Sequence, residues 1–407
     1  MTAYQHNHYV PVWYQSRFML PGQHRYFRLD LTPDVVTHGA VKYTRNDVHH
    51  WSPTRIFAKE DLYTTRWGAV SNVEIERFFF GPLDNKTQSA VEYFTTFQHP
   101  SVNEKAFRTL MTYMSVQKLR TPKGLAHLSA TAKRGANFTL LLLQQLRDMY
   151  CAIWTECVWQ IADASASSTK FIISDHPVTV YNRACPPMSD ACRGPNDPDI
   201  RLHATHTYFP LSLDKVLILT NLSWVRNPYQ NELRVRPNPN LFRGTIFNFT
   251  AIQVERMLTE DEVLQINYIT KRRAYRYIAG AVRDWLYPER RVSTDHWKKL
   301  GDGYLLMPEP RGIHMGGEIF IGYDSGHSEA YSEYGHRPWQ RGYKDKEREK
   351  IETEALYRFK AEWAMKHGPK WKSWSYDFGG GSLREDSPEM MESHKRTLVK
   401  HRAKKRA

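Results

Sequence analysis

The chain has 407 residues, 57 of them Lys or Arg and 43 Asp or Glu, for a net charge of +14. Charged residues are 25%, hydrophobic ones 41% and aromatics 13%, a profile that excludes wholesale disorder, collagen-like repeats and a small disulfide scaffold. This length gives room for two or three structural units around a large core.

Residues 4–31 mix aromatic and β-branched residues with Pro11, Pro21 and Gly22, and predict short strands and turns. Residues 56–65 predict a turn leading into a strand. Over 103–118, Phe107, Leu110, Met111 and Met114 recur at spacings of three and four, predicting a helix that stops before Pro122. Residues 137–164 are apolar almost all round and predict one central helix. Gln144, Gln145, Arg147, Asp148 and Glu156 interrupt that run, so it does not read as a membrane span. Residues 170–181 predict a strand, an S-D-x-P turn and a second strand, and 184–201, with four prolines, a surface loop. Residues 207–222 predict a turn and a buried strand.

A single helix is predicted over 259–286, opened by a capping box of Thr259 and Glu262. Val263, Ile266, Ala274, Tyr277, Ile278, Ala281 and Trp285 fall on one face of it, and Arg272, Arg276 and Arg283 on the other. Residues 317–323 predict a strand, and 343–367 a charged amphipathic helix with Ile351, Ala355, Phe359 and Trp363 at spacings of four. The run Gly379-Gly380-Gly381-Ser382 reads as a flexible break before a basic tail. The charge excess is local. Residues 393–407 carry seven Lys/Arg and no acid, residues 271–299 nine against three acids, and residues 1–270 with 300–336 balance.

N-H-Y-V-P at Asn7–Pro11, followed by Phe18, resembles the N-terminal signature of the uncharacterised bacterial domain-of-unknown-function family 4238. The resemblance continues in order through Phe57, Ala58 and Tyr63, the acidic pair Glu74 and Glu76, and R-T-P at Arg120, Thr121 and Pro122. It runs on through F-x-x-S-D-x-P at Phe171, Ser174, Asp175 and Pro177, F-P-L at Phe209–Leu211, and a closing helix with Asn267 and Ala274. It covers about residues 5–285 and brings no established reaction. The expected fold is α+β, with central long helices packed against short, mostly antiparallel strands and a helical basic C-terminal extension. The expected units are a family-like domain over 1–285, an extension over 286–378 with one amphipathic helix, and a flexible basic tail over 379–407.

Four groups of residues could carry chemistry. His8, Glu74, Glu76 and Asp175 are candidate catalytic groups, with His6 and His176 as outer candidates. Metal-assisted phosphodiester hydrolysis needs two or three carboxylates, often with a histidine, around Mg²⁺ or Mn²⁺, and Glu74, Glu76 and Asp175 are the expected ligands. The competing reading makes Asp175 a turn cap and His8 a buried hydrogen-bonding group. The second group is Cys185, Cys192, His203 and His206. These are zinc donor types, but C-x6-C is wider than the usual C-x2–4-C pair, so no structural zinc is expected there. The third is Arg120 with His127, which Pro122 keeps off a shared helical face; Arg120 is expected to pair with Glu74 or Glu76.

The fourth group is basic: Arg272, Arg276, Arg283, Arg290 and Arg291, with Lys404 and Lys405 in the tail. With Tyr275, Tyr287 and Trp297 interleaved, this composition suits a phosphate backbone with stacked bases. There is no Walker loop, no G-x-S-x-G and no H-E-x-x-H. Four cysteines and the absence of an apolar N-terminal run point to a cytoplasmic chain with no membrane partner. Two functions are carried forward. One is a nucleic-acid-directed protein acting as a metal-dependent phosphodiesterase or nuclease. The other is a non-enzymatic nucleic-acid- or protein-binding module whose polar cluster is structural.

Overall fold

Two antiparallel-rich sheets share one core, and the S-D-x-P turn is the bridge between them. The computed structural model describes residues 6–38, 41–97, 103–236, 252–316, 318–322, 325–332, 336–371 and 384–404. The first sheet runs Thr179–Asn182, Thr205–Pro210, Lys215–Asn221, Cys157–Asp163, Ile252–Met257; only its last pair is parallel. The second runs Ile173–Ser174, Tyr277–Gly280, Tyr26–Asp30, Val48–Trp51, all antiparallel. Ile173–Ser174 belongs to one sheet and Thr179–Asn182 to the other, so Asp175 and His176 sit where the chain crosses between them.

Helix Glu104–Arg120 is capped by the Asn103 side chain and is buried almost all round in its C-terminal half. It ends before Pro122 as the spacing predicts. The chain then turns at once into helix Pro122–Ala132, with Thr121 as its N-cap and Pro122 in its first turn, where a missing N–H costs nothing. Helix Gly81–Thr95 packs against Glu104–Arg120.

Two of the expected long helices are shorter. Residues 137–164 form helix Ala136–Gln145, a short helix Cys151–Thr155 and then strand Cys157–Asp163, which lies between Lys215–Asn221 and Ile252–Met257. A strand buried on both faces is apolar without alternation, so its sequence matches that of a buried helix. Residues 259–286 start with the predicted capping box, but the helix ends at Arg273, and Tyr277–Gly280 crosses into the second sheet. Ala274 has the extended ψ of 151°, which turns the chain off the helix axis.

The C-terminal part adds strand Glu318–Gly322 and helix Lys346–His367, close to their predicted bounds, and an unpredicted strand Ser328–Ser332 that pairs with the first as a hairpin. The expected flexible tail differs: Pro388–Lys404 is a helix lying along Lys346–His367. Gly379–Ser382 lie outside the described residues. A second hydrophobic cluster joins the two parts of the chain. Val158, Ala204, Trp224 and Val225 pack with Met307, Ile313, Leu356, Phe359 and Trp363.

Candidate functional site

The N-H-Y-V-P segment is tied into the core by its polar groups. Asn7 Oδ1 accepts from the Tyr63 amide at 3.3 Å. The Tyr9 carbonyl accepts from Gln117 Nε2 at 2.7 Å, and the Tyr9 amide donates to the Phe57 carbonyl at 3.0 Å. His8 Nε2 lies 3.1 Å from the Thr54 carbonyl, and burial lowers its pKa. Gln117 Oε1 in turn accepts from Arg120 Nε at 2.7 Å. Three of the sequence motifs thus form one hydrogen-bonded chain running from residue 9 to residue 120.

Arg120 is fully buried, between the rings of Phe80 at 5.3 Å and Tyr113 at 5.6 Å. Its carboxylate partner is Asp84, gripped in a two-pronged pair at 3.0 and 2.8 Å, and not Glu74 or Glu76. The sequence misses this because Asp84 reaches Arg120 from a separate helix. Glu74 is exposed at the start of the wide helical turn Ile75–Phe80, so it and Glu76 splay apart as residues two positions apart on a helix must. Glu76 lies near Arg120 and Asp84. Burial pushes its pKa up to about 7 against the pull of Arg120, and its Oε2 is buried without a hydrogen-bond partner.

Asp175 is held elsewhere. Its carboxylate accepts from three successive amides, Tyr275 at 2.8 Å, Arg276 at 2.7 Å and Tyr277 at 2.9 Å. It therefore clips the end of helix Glu260–Arg273 to the crossover turn. Burial raises its pKa to about 6, opposed by those amides and by Lys123. The expected catalytic set does not converge. Among the described residues no group of three His, Cys, Asp or Glu side chains is placed to hold a metal ion. The same holds for Cys185, Cys192, His203 and His206: His206 Nδ1 bonds Thr220 Oγ1 at 3.0 Å, and both His203 ring nitrogens are buried without partners.

What does converge is a buried, cation-rich cluster under the loop 184–201. Lys118 and Lys123 both pair with Asp197, the latter at 2.5 Å. His176 Nε2 is 3.1 Å from Asp197 Oδ2, and its Nδ1 is 2.6 Å from Thr121 Oγ1. The Asp197 carboxylate can only accept, so Nε2 carries the ring proton toward it, Nδ1 accepts from the Thr121 hydroxyl, and Thr121 Oγ1 accepts from the Gly124 amide at 3.2 Å. Burial and Lys118 drive the His176 pKa down to about 3, leaving the ring neutral. Burial alone would raise the Asp197 carboxyl, but Lys118 and Lys123 hold it well below the ordinary range. The sequence shows Lys118 and Lys123 only as residues flanking R-T-P. No local pattern marks Asp197, which arrives 74 residues after Lys123.

A cavity of about 500 Å³ opens where the extension meets helix Glu260–Arg273, lined by Arg256, Asp261, Lys299, Asp302 and Trp363 among others. Its charged groups largely satisfy one another, as in Arg256 with Glu262 and Lys366 with Asp302, both at 2.8 Å.

The expected basic face is dispersed by the break at Arg273. Arg276 is bound to Asp30 and Asp34 at 2.9 and 2.8 Å, and Arg291 to Glu260 at 2.8 Å. Arg272 and Arg283 are exposed, and Arg290 lies over the Tyr287 ring at 4.0 Å. The tail helix holds the more continuous patch. Lys395, Arg396, Lys400, Arg402 and Lys404 are exposed on Pro388–Lys404, whose last acid is Glu392. Lys404 is 3.4 Å from Glu354, while Arg396, Lys400 and Arg402 pair with no carboxylate among the described residues. Lys405 lies outside the described residues.

Fold and site together define a mixed α+β protein in which two motif-bearing turns meet over a buried cluster of cations. The chain belongs to the family described as protein of unknown function DUF4238, whose family model matches residues 6–284. No curated protein matches it, and no solved structure does.

Proposed function

We propose that this chain is a nucleic-acid-binding protein without phosphodiesterase activity, in which His8, Glu76 and Asp175 serve the fold and the basic surface holds the polyanion. The observation that carries the reading is the exposed surface of Pro388–Lys404, where Arg396, Lys400 and Arg402 pair with no carboxylate among the described residues over about two turns. Arg396 and Lys400 share one face and Arg402 lies on another, so the helix can neutralise phosphates that pass on more than one side of it, by counterion release. Arg290 on Tyr287 and the exposed Arg272 and Arg283 add a second basic area. A Mg²⁺- or Mn²⁺-dependent nuclease on Glu74, Glu76 and Asp175 is the less favoured reading, because three backbone amides already use the Asp175 oxygens. The proposed setting is the cytoplasm, where four free cysteines suit reducing conditions. Among the described residues no helix is long and apolar enough to cross a membrane.

The test is an electrophoretic mobility shift with duplex DNA and with single-stranded RNA of equal length, across a salt series. Replacing Arg396, Lys400 and Arg402 together by Gln should weaken binding at least tenfold. On duplex DNA it should flatten the log–log salt slope by about 2–3. An unchanged slope would remove the helix from the contact. Cleavage of either substrate that needs Mg²⁺ or Mn²⁺ and is lost in Asp175→Asn would restore the hydrolytic reading.

A further inference from the structure

The cluster beneath the loop 184–201 holds more positive charge than its one inserted carboxylate balances. Lys118, Lys123 and Arg273 are each more than nine-tenths buried, as is His176. The Lys118 ammonium has three N–H groups; it meets one carboxylate, Asp197, and lies 3.4 Å from His176 Nε2. Lys123 divides its donors between Asp197 and the Arg273 carbonyl at 2.8 Å. Arg273 stacks 4.8 Å from the Trp297 ring and donates Nη2 to the Cys185 carbonyl, while its Nε is buried with no partner. The second carboxylate of the neighbourhood, Asp175, is already committed to three amides. The N-terminus of helix Pro122–Ala132 opens at the same spot, adding its dipole to the positive side. Buried cations in this surplus call for an anion of higher charge than a single carboxylate.

Asp197 arrives on an irregular loop with no helix or strand immediately on either side of it. Pro195 and Pro198 flank it closely, Gly194 and Met188 take left-handed φ values of 64° and 71°, and Met188 and Arg193 are exposed. The ends of the loop are anchored by buried Cys185 and Ile200, by Arg273 on the Cys185 carbonyl and by Thr205 Oγ1 on the Asp199 carbonyl at 2.9 Å, while its middle is held by the ion pairs of Asp197, by buried Cys192 and by Asn196 Oδ1 on His127 Nδ1 at 2.9 Å.

We propose that Lys118, Lys123, His176 and Arg273 form a binding site for a phosphate dianion, and that Asp197 fills it as an intramolecular stand-in on a displaceable loop. A phosphate offers two charges and three or four acceptor oxygens to the same lysines that a carboxylate holds with two. Neutral His176 stays on Thr121 and turns its Nε2–H from Asp197 to the incoming oxygen. The site is separate from the basic helix Pro388–Lys404, so it stands or falls independently of surface binding to a polyanion.

The test uses the full chain and inorganic phosphate, with potassium chloride at matched ionic strength as control. Asp197→Asn removes the stand-in charge, and titration calorimetry should show phosphate bound at least tenfold more tightly than by the wild type. Adding Lys118→Met to that variant should return the affinity to the wild-type level. A folded Asp197→Asn protein with unchanged phosphate affinity overturns the proposal. Should that variant not fold, the wild type gives the answer. Phosphate, and not chloride, should speed trypsin cleavage after Arg193 at least threefold, and a rate indifferent to phosphate overturns the proposal. A 5′-phosphorylated oligonucleotide that displaces phosphate, when its 5′-hydroxyl counterpart does not, identifies a nucleic-acid end as the source of the dianion. Failure of both to displace bound phosphate identifies a free phosphate.

Discussion

Glu76 carries a cost that depends on pH. Its carboxyl titrates near 7 in the folded chain against an ordinary 4.5, because burial disfavours the charged form more than Arg120 favours it. Below about pH 4.5 both folded and unfolded chains carry the proton, and the site is neutral to stability. Between 4.5 and 7 the unfolded chain loses the proton while the folded chain keeps it, so stability falls as pH rises, and the loss is complete above about 7. Glu76→Gln should therefore leave stability at pH 4.5 nearly unchanged and raise it at pH 8 by about 1–2 kcal/mol, read by urea denaturation at the two pH values. An equal effect at both would show that the carboxyl is ionised throughout. Glu74, two residues earlier, is exposed and gives a contrast within the same turn. That difference was not legible in the sequence. An E-x-E pair looks alike whether it lies on a strand or on a helical turn, and the choice was made by the packing of Ile75 and Phe80 into the core.

Between helices Glu104–Arg120 and Pro122–Ala132 the chain makes a corner with little free space. A Cβ on Gly124 would fall well inside contact distance of the Lys118 and Leu119 carbonyl oxygens, which are backbone and cannot rotate away. Gly124→Ala should destabilise the protein by on the order of 2–3 kcal/mol, measured by thermal or chemical unfolding. A loss under 0.5 kcal/mol would mean that the corner relaxes freely. The first side of this corner was legible, because the apolar spacing marked the helix and Pro122 its stop, whereas helix Pro122–Ala132 was not expected. The capping box of Thr259 and Glu262 likewise marked a true helix start, with both reciprocal bonds formed. The far ends of the apolar runs were not legible. Cys157–Asp163 is a strand because Lys215–Asn221 and Ile252–Met257 are there to pair with it. Tyr277–Gly280 leaves the helix because Tyr26–Asp30 takes up its backbone hydrogen bonds. Those partners are remote in sequence, and local propensity is weak beside a complete ladder.

Across the whole molecule, the matched family region and the C-terminal extension share apolar surface. Trp224 and Val225 are buried by Leu356, Phe359 and Trp363 from the extension, and Arg311 ties Glu309 to Asp386 at 2.7 and 2.6 Å. The boundary expected near residue 285 is therefore crossed by a common core. The full chain should melt in one calorimetric transition, and a chain cut after residue 285 should be insoluble or melt at least 10 °C lower, since it lays bare a contiguous apolar face. Two resolved transitions with a normal truncated chain would make the parts independent. The sequence by itself determined the α+β class, the family resemblance over about residues 5–285, the capped start of helix Glu260–Arg273 and the location of the excess charge. Each of those depends on residues that are neighbours in the chain or on simple counts. Only the tertiary structure decided that Arg120 takes Asp84, that three amides enclose Asp175, and that Lys118 and Lys123 close on Asp197. Burial forces each charge to find an opposite one, and the nearest available partner is set by how helices and sheets pack, at separations of 36 to 102 residues that no local pattern encodes.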